Sequence, residues 1–532
     1  MTDAPSGIVD DELVDSQVSP RAKAGGPHRA TRKSVRGSGI LLLGRAISMG
    51  SNFLIQVLIV RHLSKSDYGA FAYALSLSLA FTTFIELGLD RSITRFLPIY
   101  DERGEPKKVV GTIFMQLATV LTLGFSLVLV VVGLRGWMSG RLIDDAEATT
   151  LLTILVLLAP IQALDNVCQN LFAVYARARA IFFRRHILNP VLRLGVVLLL
   201  LATGSGAAFL ATGYVLAGAV GLVIYGFVAV KVLRETGLGP YLSPRKAEFP
   251  VKEVLAFTFP LLASDLLFTV MNTSDALLLG AFDGTEGVAA FRAIQPLAGA
   301  NHLVFASFGI LFTPLVARLW ARRDDAGVDN VYWTSALWVT VLSLPFFLAT
   351  FALARPLTVA LLEERYASSA TYLAMLSFGL FVDSVLGFNG LTLKALGKVR
   401  PVVLLNLAAG TLNLVLNLVL IPRYGPMGAA IGTSVTLVAH NVLKQVALAR
   451  TTSIRLMEWR AARVYLLVVA ATVAVWLFDV ALGPPLWVAL GVGGLAWVAV
   501  LLGSRSSLEA ADMFPELAKI PLLGRLVVGG TR

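Results

Sequence analysis

Three arginines stand inside otherwise apolar stretches. Arg193 is the one charged residue between positions 187 and 203, Arg45 lies in the apolar run 39–61, and Arg292 lies in 286–317. A guanidinium at such depth faces a water-filled cavity or a buried partner. Its planar fork suits two oxygens of a carboxylate or phosphate. Arg193 lies eleven residues into its stretch, roughly 17 Å at the rise of a helix, too deep to reach the headgroups easily. Pro190 lies one turn before it and is a candidate kink. Around Arg292 stand Gln295, Pro296, Asn301 and His302, an unusually polar set.

Carboxylates occur at similar depth: Glu86, Asp90, Asp165, Asp265, Asp275 and Asp383. A carboxylate in low dielectric can exchange a proton with a cavity, so Asp265, Asp165, Asp383 and Glu86 are candidates for binding a coupling ion. Asp265 falls midway along its stretch. Asp90 sits beside Arg91 and reads as a surface pair. Asn406, Gly410, Asn413 and Asn417 recur at intervals of four, three and four, which places them on one helix face. That face either packs closely on a neighbour or offers amides to a polar ligand. Arg193, Arg45, Arg292, Asn413, Asn417 and Gln295 are therefore the candidate cavity residues. No covalent chemistry is evident: the chain has no phosphate-loop lysine motif, no Gly-x-Ser-x-Gly, a single cysteine (Cys168) and five histidines without metal-ligand spacing. No catalytic residue, metal or cofactor is expected.

The elements that carry these residues are helices long enough to cross a bilayer. The chain is 56% hydrophobic and 15% charged, with a mean hydropathy of +0.76, whereas soluble domains carry about 25% charged residues. Fourteen apolar segments are expected, at about 39–61, 67–95, 109–134, 150–175, 182–203, 206–233, 250–280, 286–317, 330–353, 370–393, 401–421, 426–449, 461–480 and 484–503. They are too long and too evenly apolar for barrel strands. Residues 1–38 lack aromatics and read as a disordered cytoplasmic tail. Residues 504–532 read as a second cytoplasmic tail with a short amphipathic stretch.

With a cytoplasmic N-terminus, thirty-five of the forty-five lysines and arginines fall on the cytoplasmic side. Seven fall outside: Arg61, Lys65, Arg135, Arg141, Arg355, Arg365 and Arg423. This bias agrees with the positive-inside rule, and it accounts for the net charge of +12 without a nucleic-acid partner. The basic residues near Arg91, Arg95, Arg177, Arg179, Arg184 and Arg185 are expected at the headgroups.

The first twelve segments form two blocks. Gly69 and Gly287 stand at an offset of 218, as do Asp165 and Asp383, and Gly-Ala-Ala turns recur at 206–208 and 428–430. The expected architecture is all-α. An N-terminal six-helix lobe (39–233) and a C-terminal six-helix lobe (250–449) are parallel repeats about an axis along the membrane normal. A cytoplasmic linker (234–249) joins them, and two further helices (450–503) follow.

Arg61-His62-Leu63-Ser64-Lys65-Ser66-Asp67-Tyr68-Gly69, Glu86-Leu87-Gly88-Leu89, Arg95-Phe96 and Thr273-Ser274-Asp275-Ala276-Leu277-Leu278-Leu279-Gly280 resemble segments of one family. So do Gly397-Lys398, Asn413, Asn417, Ile421-Pro422-Arg423-Tyr424-Gly425 and Gly428-Ala429-Ala430. The family is the polysaccharide-transporter branch of the multidrug/oligosaccharidyl-lipid/polysaccharide exporter superfamily. The resemblance runs in order over residues 39–503. It implies two lobes around a central cavity that opens alternately to each side of the bacterial cytoplasmic membrane. It also implies a flippase for undecaprenyl-diphosphate-linked oligosaccharides, serving surface-polysaccharide or cell-envelope assembly. Its partners would be that lipid-linked oligosaccharide, membrane lipids, and polysaccharide polymerase or glycosyltransferase machinery. Cavity cations then become anchors for the diphosphate. A drug or cation antiporter of the same superfamily is the alternative. A membrane-embedded polymerase or ligase is disfavoured, because the longest outside loop, near 135–149, is too short for an active-site domain.

Overall fold

The computed structural model describes residues 48–139, 145–175 and 177–508. Arg45 and both tails beyond these limits lie outside the described residues, and of Asp265 only the backbone is described. The chain is all-helical, with α1 (48–62), α2 (Lys65–Glu86), α3 (Pro106–Gly133), α4 (Ala146–Val174), α5 (Asn189–Thr203), α6 (Ala207–Glu235) and α7 (Val251–Phe282). It continues with α8 (Gly284–Ala321), α9 (Asp325–Phe347), α10 (Ser369–Leu386), α11 (Val399–Thr451), α12 (Trp459–Leu482) and α13 (Leu486–Ser504). Among the described residues eleven helical spans are long and apolar enough to cross a membrane. α1 and α7 are helical but lie outside that set. The two expected segments 401–421 and 426–449 are two helices, the arms of α11, which meet at the non-helical Gly425 (φ 53°, ψ −132°).

Large apolar side chains cover the outer surface. Phe227 is 74% exposed, Leu466 68% and Trp487 76%. So broad an exposed apolar surface marks contact with lipid.

Several spans are less regular than their hydropathy suggests. α2 stops at Glu86, where Leu87 (φ 47°) and Gly88 (φ 69°) turn left-handed, and the chain restarts as Asp90–Glu102. The irregularity near Pro190 is a π-helical turn, Arg184–Leu188, which runs directly into α5 and leaves Pro190 just beyond it, a site where a proline and a π turn commonly coincide with a bend. α8 is interrupted by a tight turn at Ala300–His302.

The helix ends define two faces. The connections after residues 102, 235, 321, 395 and 451 lie at the basic end, and those after 62, 133, 203, 282, 362 and 482 lie at the opposite end. Apolar packing differs between the two. At the opposite end a single core draws on both halves of the chain, with Phe71, Leu152 and Leu210 packed in one cluster with Phe291, Leu373 and Ala429. Elsewhere the halves keep separate cores. One, around Leu97, Phe172 and Tyr225, belongs to α2–α6 and their connections. Another, around Trp333, Phe388 and Val464, belongs to α8–α13. α12 and α13 pack on α9, where Trp497 donates to the Val341 carbonyl at 2.9 Å. The two halves are thus joined most firmly at one end.

Polar contacts lock that end. Arg365 donates to the carbonyls of Leu63 and Val60, each at 2.8 Å, and to that of Arg61 at 2.9 Å. These are carbonyls that α1 leaves unpaired at its C-terminus, so a residue of the second half caps a helix of the first. Glu363 reaches Arg365 at 3.2 Å and Arg61 at 3.5 Å, and Lys65 pairs with Glu286 at 3.4 Å. Gly69 lies so near the Thr285 backbone that a Cβ would come within 2.0 Å of its carbonyl oxygen. The two segments related by the sequence offset thus meet face to face. At the basic end the bridge is smaller: Tyr100 donates to Glu253 at 2.7 Å, and Arg95 lies 4.2 Å from the Phe257 ring centre.

Candidate functional site

The first half holds a small, partly open cleft between α4, α5 and α6. Its polar lining is Gln162 and Asp165 from α4, Arg184, Asn189 and Arg193 from the π turn and α5, and Tyr214 from α6. Arg193 is half-buried, and its guanidinium lies 5.2 Å from the Tyr214 ring centre. It forms no ion pair with a described residue. Stacking on an aromatic face leaves the edge donors of a guanidinium free for an oxyanion.

Asp165 does not serve Arg193. Arg184 Nε donates to Asp165 Oδ1 at 2.9 Å, with both side chains almost wholly buried, and Gln169 donates to Oδ2 at 3.1 Å. Arg184, expected among the headgroups, is instead an interior residue, because the π turn swings it inward. Gly221 of α6 makes room for it: a Cβ there would come within 2.0 Å of Arg184 Nη1.

A second polar group lies in the second half, nearer the opposite end. Asn417 Nδ2 donates to Asp275 Oδ1 at 2.5 Å and to Asn413 Oδ1 at 3.2 Å, and it lies 3.5 Å from Ser274 Oγ. Asn417 is therefore turned to α7, whereas Asn406 of the same expected face lies 3.0 Å from His440 Nε2. Arg292 Nη1 donates to Gln295 Oε1 at 2.8 Å, and it lies within electrostatic reach of Asp275 and of Tyr68 in α2. Its Nε is buried without a partner in the described structure.

Asp383 forms a third group: Asn441 Nδ2 donates to Oδ1 at 2.7 Å and His302 Nδ1 lies 3.4 Å from Oδ2. Glu86 accepts from Asn166 Nδ2 at 2.7 Å. The candidate residues thus divide among separate clusters instead of meeting at one point. Sequence reasoning missed Tyr214, whose position across from Arg193 depends on how α6 packs, and Arg365, which counted there only as an outside cation. Among the described residues no group of three histidine, cysteine or acidic side chains could hold a metal ion.

Comparison with known proteins bears on the whole arrangement. The family described as "Polysaccharide biosynthesis protein" matches residues 34–320, and the MatE family matches 260–419. The chain is 23% identical over 424 residues to the uncharacterized membrane protein MJ1068 of Methanocaldococcus jannaschii, covering 75% of this chain and 81% of the relative. Its fold is similar to a structure described as the lipid II flippase MurJ in an inward closed conformation. The TM-score there is 0.67 at 13% identity, over 90% of this chain and 99% of that one. An inward-facing multidrug resistance MATE family transporter gives 0.58 at 14% identity, over 76% of this chain and 94% of that one. The first family match spans more than half of the sequence, and both solved structures share the fold. The chain accordingly belongs to the polysaccharide-biosynthesis branch of the multidrug/oligosaccharidyl-lipid/polysaccharide exporter superfamily.

Proposed function

We propose that this protein is a flippase for a lipid-linked oligosaccharide with a diphosphate head group, working by alternating access in the bacterial cytoplasmic membrane, with both termini cytoplasmic. The observation that carries the reading is Arg193: a cation at mid-membrane depth, stacked on Tyr214 in a polar cleft and paired with no described carboxylate. A charge at mid-membrane depth without a counter-ion is costly, and a phosphate oxygen would complete it. The similarity to a lipid II flippase supports the same substrate class. The packing supports a state closed at the opposite end, with the basic end as the loading side. Asp275, held by Asn417 and facing Arg292, is the best-framed carboxylate for ion coupling.

The MatE match over 260–419 favours one second reading, export of cationic drugs. Mass spectrometry of the lipid fraction after depletion of the protein separates the two. Under the flippase reading a diphosphate-linked oligosaccharide accumulates. Complementation with wild-type protein clears it, and an inserted Arg193→Ala variant does so at least tenfold more slowly, the loss given by about 1.4 kcal/mol. Unchanged lipid-linked saccharides together with retained cationic dyes would establish the drug reading.

A further inference from the structure

Beyond the Arg193 cleft, cation-capable side chains gather around Asp383 in the basic half of the second lobe. Asp383 Oδ1 accepts from Asn441 at 2.7 Å, and His302 Nδ1 lies 3.4 Å from Oδ2. Lys444 lies against α10's extension at Gly390, where a Cβ would touch its Nζ at 3.4 Å. It is within electrostatic reach of Asp383 and of Lys394. His440, one turn away on the same arm of α11, lies near both Lys444 and Asp383, and its Nε2 is 3.0 Å from Asn406 Oδ1. Lys444 and two imidazoles therefore lie near one carboxylate, with Lys394 beside Lys444. Lys444 is half-buried and makes no hydrogen bond or ion pair with a described residue.

Lys444 stands nineteen residues beyond Gly425, roughly 28 Å along its arm, so it is shallower from the basic end than Arg193. A lysine that merely snorkels extends toward the headgroups, whereas this one lies along Gly390 beside a carboxylate that is already bonded. A half-buried lysine without a bonded counter-ion, beside a second lysine, is stabilised by an anion. A compact ammonium on a flexible stem suits a single phosphate oxygen.

We propose that Lys444, flanked by His440 and Lys394, forms a second anion subsite that takes the diphosphate head group at the basic end before it reaches Arg193. This rests on the flippase reading and specifies how that substrate loads. The diphosphate of an isoprenoid carrier, free diphosphate and an anionic phospholipid all offer phosphate oxygens, so the test separates them. Full-length protein in detergent micelles is titrated with farnesyl diphosphate, inorganic diphosphate or phosphatidylglycerol, and binding is read by tryptophan fluorescence.

Lys444→Gln is expected to weaken both diphosphates about tenfold, the effect of one charge-assisted hydrogen bond. It should leave phosphatidylglycerol unchanged, and Lys444→Arg should keep most of the affinity. Wild-type diphosphate affinity in Lys444→Gln overturns the subsite. So does a loss confined to phosphatidylglycerol, which marks a bilayer contact, or a loss that Lys444→Arg does not restore. If Arg193→Gln loses diphosphate while Lys444→Gln does not, the flippase reading survives and only this inference fails. If the wild-type protein binds neither diphosphate, both fail.

Discussion

Arg184 and Arg193 lie close together in sequence, yet the structure gives them opposite tasks. Arg184 is sealed against Asp165 and lies over Gly221, with nearly nothing exposed to solvent. Removing one partner of a buried pair leaves an uncompensated charge, which costs about 3–5 kcal/mol, whereas replacing both with neutral groups costs far less. Arg184→Ala is therefore expected to lower thermal stability strongly, and Asp165→Asn with Arg184→Gln to recover much of the loss. Melting of the purified variants by intrinsic fluorescence checks this; a double variant as unstable as the sum of the singles would refute the pairing. Gly221→Leu should behave like Arg184→Ala, since its side chain would occupy the guanidinium's place. Nothing in the amino-acid order reveals this division of labour. Both arginines follow apolar residues, and only the π turn at 184–188 decides which of them turns inward.

At the scale of elements, the helices follow from apolar runs, and their expected limits agree with most spans to within a few residues. What hydropathy cannot supply is where a run breaks. The left-handed pair Leu87–Gly88 and the tight turn at Ala300–His302 both fall inside segments expected to run unbroken, 67–95 and 286–317. It also cannot supply long-range caps. Arg365 reaches three carbonyls at the end of α1 across about three hundred residues of sequence, and hydrogen bonds to a charged donor contribute about 1.5–3 kcal/mol each. Such a cap stabilises the state closed at that end. Arg365→Ala should shift the population toward the opposite-open state. The rate at which a water-soluble maleimide labels a cysteine placed at Ala289, buried against α2, is expected to rise severalfold in a Cys168→Ser background. An unchanged rate would mean that apolar packing alone holds the end shut. The candidate site was legible in part for the same reason: intramembrane charges stand out as residue types, but the clusters they join depend on contacts between distant helices.

For the whole molecule, the separate cores imply that each lobe moves as a body, because packed interiors resist gradual deformation. The single shared core must then be the part that is remade in transport. Lys65 and Glu286 pair across its edge at 3.4 Å, while Ser78 and Leu155 touch inside the first lobe through a 2.5 Å hydrogen bond. A short, reducible bifunctional thiol crosslink across the first contact should trap the closed state and stop transport. One across the second should leave transport near wild type, since the lobe moves as a unit. Both pairs are built in the Cys168→Ser background, and lipid translocation is compared before and after reduction. Activity that returns only when the Lys65→Cys, Glu286→Cys link is reduced supports rocking of rigid lobes about the basic end. Inhibition by the Ser78→Cys, Leu155→Cys link as well would show that the first lobe must itself deform. The cycle would then run through its helices, as the breaks in α2 would allow, and the shared core would cease to be the sole moving joint.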